Sequence, residues 1–132
     1  SALHQCAYWT TAHSYMLRES SKISGYKIKL RDITQGLSDE THIPHGDILI
    51  ELADSVVARD NNKIANARNK VFASLGNDAV VDALAVASAF HGFVRIADAI
   101  GIPYATAAKG SDAPEIREEV GINDFNLIKG SI

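Results

Sequence analysis

From Ala83 to Val94 the chain carries no Asp, Glu, Lys or Arg. Within that stretch, Ala83-Leu84-Ala85-Val86-Ala87-Ser88-Ala89-Phe90 is apolar on every side and built mostly of small side chains. A helix without a polar face belongs in an interior, and small side chains let neighbouring backbones approach closely. Asn77 or Asp78 suits its N-cap, and Gly101 and Pro103 suit its stop. The spacing therefore predicts a buried core helix over about 78–100, around which the rest of the chain must pack.

The flanking segments supply candidate partners. Ala2, Leu3, Cys6, Trp9, Ala12, His13 and Met16 recur at three- and four-residue steps, which predicts a helix over 3–19. Ser20-Ser21 and Ser24-Gly25 read as its break. A short helix is expected at about 26–35, stopped by Gly36, followed by a polar loop over 37–43. Pro44 suits a helix first turn, and Ile48, Leu49, Leu52, Ala53, Val56 and Val57 form the stripe of the helix it opens. Asp60-Asn61-Asn62 interrupts that pattern. Ile64, Ala67, Val71 and Leu75 line one side of the next helix, with Gly76 as its C-cap. Lys109-Gly110-Ser111-Asp112 reads as a turn, 113–120 as a short helix, and 105–132 as a C-terminal extension. The alternation in Tyr26-Lys27-Ile28-Lys29-Leu30-Arg31 is the one strand candidate. A lone strand lacks a partner, so it too is read as helical. The expected architecture is all-α, a single domain over 1–132 built as an antiparallel helical bundle and completed by oligomerisation.

Composition narrows the function classes. A net charge of −3 leaves no basic footprint for nucleic acid or an anionic membrane. A single cysteine rules out an internal disulfide and weakly favours a reducing compartment. No apolar run reaches the ~20 residues that span a bilayer. Ser1-Ala2-Leu3-His4 is not the start of a signal peptide, so the cytoplasm is expected. The first residue is not Met, which suggests a processed or truncated chain.

Chemistry-bearing residues are few. Cys6-Ala7-Tyr8-Trp9-Thr10-Thr11-Ala12-His13 sets a thiol and an imidazole on one helical face. They are roughly 10.5 Å apart along the axis at about 1.5 Å per residue, with Trp9 between them. A direct hydrogen bond within one helix is therefore out of reach. A free Cys on an apolar face is usually a small buried hydrophobe. His13 is read equally as a core histidine or a site remnant, and Trp9 as packing. His42, His45 and Asp47 lie close in sequence, but lack the further ligands a zinc site needs. No metal or other cofactor is expected. His91 reads as a satisfied core residue, with pocket lining as the alternative. Arg95 and Asp98 are spaced to pair on the helix surface, with Arg95 as a substrate anchor the alternative. There is no P-loop, dinucleotide fingerprint, G-x-S-x-G or H-E-x-x-H.

Three pieces of the chain resemble the alkylhydroperoxidase D-like and carboxymuconolactone decarboxylase superfamily, over about residues 3–104. The first is Cys6-x-x-Trp9-x-x-x-His13, against that family's Cys-x-x-Cys-x-x-x-His. The second is the helix pair from Ile48 to Leu75. The third is Ala89-Phe90-His91-Gly92-Phe93-Val94-Arg95-Ile96-Ala97-Asp98-Ala99-Ile100-Gly101-Ile102-Pro103, similar to the closing helix of the peroxidase-related branch. The resemblance implies a peroxidase-type oxidoreductase with Cys6 as redox residue and His13 as proton partner. Trp9 stands where the family's second, more reactive Cys would be, so dithiol cycling on this helix is excluded. What remains is one-cysteine chemistry, with a small peroxide as substrate and an external thiol as reductant. A redox-silent oligomeric binding or scaffold protein of the same fold is the alternative. Lactone or decarboxylase chemistry on a small organic acid is another, and would need His13, His91 and Arg95 to converge. The helices that precede the Cys motif in the family, with their relay acid, are missing, so the chain is expected to be the C-terminal portion of a longer member. The resemblance also points to homo-oligomers.

Overall fold

The computed structural model describes residues 1–38, 41–103 and 114–126, and every described element is helical. In chain order, a 3-10 turn at Ala2–His4 precedes α1 (Ala7–Ser24), α2 (Leu30–Gln35), α3 (Gly46–Ala58), α4 (Asn61–Leu75), α5 (Asn77–Ile100) and α6 (Pro114–Val120). A last 3-10 turn spans Ile122–Asp124. The chain is all-α, and no strand occurs among the described residues. The expected turn at Lys109-Gly110-Ser111-Asp112 lies outside them.

Two compact units divide the chain: Ser1–Ile43 with Val94–Ile132, and Pro44–Phe93. In the second unit α3 and α4 form a hairpin around Leu52, Ala67, Val71 and Val80. Ile48, Leu49, Val56, Ala79, Ala83 and Leu84 pack against that cluster. The hairpin turns at Asp60. Its side chain accepts hydrogen bonds from the Asn62 and Lys63 backbone N–H groups, both at 3.1 Å, satisfying two donors that α4 leaves open. We expect Asp60→Ala to destabilise this unit by about 1 kcal/mol in a denaturant titration. Pro44 falls before α3 rather than in its first turn. His45, in the left-handed region at φ 57°, is the N-cap, and the helix opens at Gly46.

The first unit is closed by the C-terminal residues. Leu30, Ile116, Val120, Ile122 and Phe125 form its larger buried cluster, with Ala2, Ala7, Tyr15, Leu17 and Ile28 against them. Residues 114–126 thus build core, where the sequence suggested an extension. Glu119 ties three elements together. It accepts a bond from the Leu30 backbone N–H at 2.8 Å, at the start of α2, and its other oxygen meets the Arg18 guanidinium of α1. A carboxylate there also suits the positive end of the α2 dipole.

Residues 26–29 are not the first turn of a helix. His42 N–H donates to the Lys27 carbonyl at 2.9 Å and Lys29 N–H to Thr41 Oγ1 at 3.1 Å, which hold that segment extended. Buried Asp32 anchors the same loop, its Oδ2 accepting from Thr41 Oγ1 at 2.6 Å, from Ser38 N–H at 3.2 Å and from the Ser38 hydroxyl. The Ser38 hydroxyl, then that of Thr41, holds the Asp32 carboxyl below its ordinary range. A depressed folded pKa contributes stability that is present above the unfolded value and lost as pH falls through the folded one. An acid titration should therefore lower the Tm of wild type below about pH 4, and Asp32→Asn should flatten that dependence.

The largest departure from expectation is α5. Its ends fall where the cap residues put them, between Gly76 and Gly101. It is not buried. Only 11% of its most apolar window is covered, and Val81, Val86, Phe93, Ile96 and Ile100 are each between 46% and 68% exposed. Val80, Val94 and Ala97 are its buried positions. Among the described residues it is the one helix long and apolar enough, by length and composition, to cross a membrane. Its uncharged stretch from Ala83 to Val94 rises only about 18 Å at ~1.5 Å per residue, however, against a hydrocarbon thickness of roughly 30 Å. Asp82 and Arg95 bound that stretch.

Candidate functional site

Cys6 is not inside a helix. Gln5 takes the left-handed conformation at φ 55°, which separates the 3-10 turn at Ala2–His4 from α1. That leaves Cys6 as the extended N-cap of α1, with Thr10 N–H bonding its carbonyl at 3.0 Å. Gln5 Oε1 accepts from Asn126 N–H at 3.0 Å, and this bond helps hold the unfavourable backbone. Beyond it α1 runs on through Ser20 and Ser21 to Ser24, further than the serines suggested. Ser21 Oγ donates back to the Arg18 carbonyl at 2.7 Å, and left-handed Gly25 makes the actual stop.

The Cys6 side chain is sealed. It is 0% exposed in a cluster with Val94 and Ala97, against which Tyr8, Trp9 and Ile102 pack. Burial pushes its thiol pKa up. The approach of the Trp9 backbone N–H opposes this, while the Asp98 carboxylate, hydrogen-bonded to the thiol and itself negative, adds to the rise. A reactive cysteine needs the opposite environment, one that favours thiolate and lets a substrate in.

Trp9 and His13 do come together. The rings lie 5.3 Å apart between centroids, tilted by 42°, and Tyr8 meets Trp9 edge-on at 5.1 Å. His13 Nδ1 lies 3.0 Å from the Trp9 carbonyl oxygen, one turn back on α1, and donates to it. Trp9 fills space between α1 and the end of α5, as an aromatic side chain of its area should.

His91 and Arg95 lie four residues apart on α5. Arg95 is exposed on α5 and belongs to the first unit, while half-buried His91 belongs to the second. Asp98, three residues after Arg95, lies near enough to Cys6 to raise its thiol pKa. No motif could have announced that pairing, because it joins positions far apart in sequence. Among the described residues no group of three or more His, Cys, Asp or Glu is placed to hold a metal ion.

Compared with protein-family models, curated proteins and solved structures, the chain matches none.

Proposed function

We propose that this chain is a redox-silent helical module that acts by association, most simply with copies of itself, and not by thiol chemistry. The observation that carries the proposal is Cys6, fully buried in the cluster with Val94 and Ala97. One-cysteine peroxidase chemistry asks for a thiolate, an open path for the peroxide and a nearby proton partner. This environment favours neither a thiolate nor an open path. The reading draws further support from α5, whose exposed Val81, Val86, Phe93, Ile96 and Ile100 put more apolar surface in water than scattered surface residues account for.

Size-exclusion chromatography with light scattering tests association, and a peroxide assay with a dithiol reductant tests chemistry. We expect a mass that is a multiple of 14.2 kDa. The double variant Val86→Glu and Phe93→Glu should reduce it to the single-chain value with helical circular dichroism retained. Cys6→Ala should leave the assembly unchanged. A single-chain mass at every concentration overturns the association. Peroxide turnover that disappears in Cys6→Ala overturns the redox-silent reading.

A further inference from the structure

We draw no further inference here: the strongest candidate, the exposed apolar face of α5 along Val86 and Phe93, already supports the proposed association, and nothing in the structure shows what covers it.

Discussion

Ile122→Ala should cost the first unit roughly 3 kcal/mol, within the range of about 2–5 kcal/mol for such truncations in a packed interior. Ile122 is 0% exposed and sits in one cluster with Leu30, Ile116, Val120 and Phe125. Removing its outer carbons leaves a void walled by α2, α6 and the turn that carries it. Hydrogen bonds such as that from the Leu30 backbone N–H to the Glu119 carboxylate resist collapse around that void. The single tryptophan makes the loss readable, since Trp9 belongs to this unit and not to the other. In a urea titration the Trp9 fluorescence midpoint should fall well below that of wild type. The part of the circular dichroism signal from α3 and α4 should persist to higher denaturant. A midpoint within error of wild type would mean that residues 114–126 do not hold this unit together. A surface truncation such as Val86→Ala should move either transition by less than about 0.5 kcal/mol.

The second large effect concerns the thiol. In the native protein at neutral pH, Cys6 should react with an aromatic disulfide at least about 100-fold more slowly than in denaturant, the factor expected if exposing it takes roughly 3 kcal/mol of local opening. Two causes act together. The sulfur has no solvent-exposed surface, and the raised pKa keeps it protonated. The rate should climb only above the ordinary thiol range of about 8.5. The sign for stability follows from the same shift. The folded state holds this proton more tightly than the unfolded chain does, so the first unit should lose stability as pH rises past the unfolded thiol pKa. Asp98→Asn should weaken that loss by removing the negative neighbour. Rapid native reaction, half-maximal below pH 8, would contradict the buried neutral thiol and reopen the redox reading.

Local signals were legible in the chain; long-range ones were not. Asp60, Gly76 and Gly101 mark helix ends because capping needs only a few neighbouring residues, and α3, α4 and α5 begin and end close to where those residues put them. The stripe through Leu52, Ala67 and Val71 was readable for the same reason, since a helical period names the face that packs. The exposure of α5 was not. Periodicity and composition describe what a helix offers, and whether another element meets it depends on the whole chain path. Cys6 shows a second limit. Its place before α1 follows from the left-handed turn at Gln5, and Gln residues rarely adopt that turn without distant support, here the bond from Asn126. The apolar positions Ile116, Val120, Ile122 and Phe125 were in plain view. Their return to the core is not legible locally, because no local rule says which segments of a chain come back to pack.

The first unit is drawn from both ends of the chain, while the second is one uninterrupted stretch from Pro44 to Phe93. A ribosome delivers these pieces in sequence, and domains fold as their residues emerge. The α3–α4 hairpin can close on nascent chain, but Leu30 and its neighbours must wait for Phe125. Until residues 114–126 have been made, Leu30 and the apolar positions around it lack their partners, so a product that stops short of them exposes those positions to chaperones and proteases.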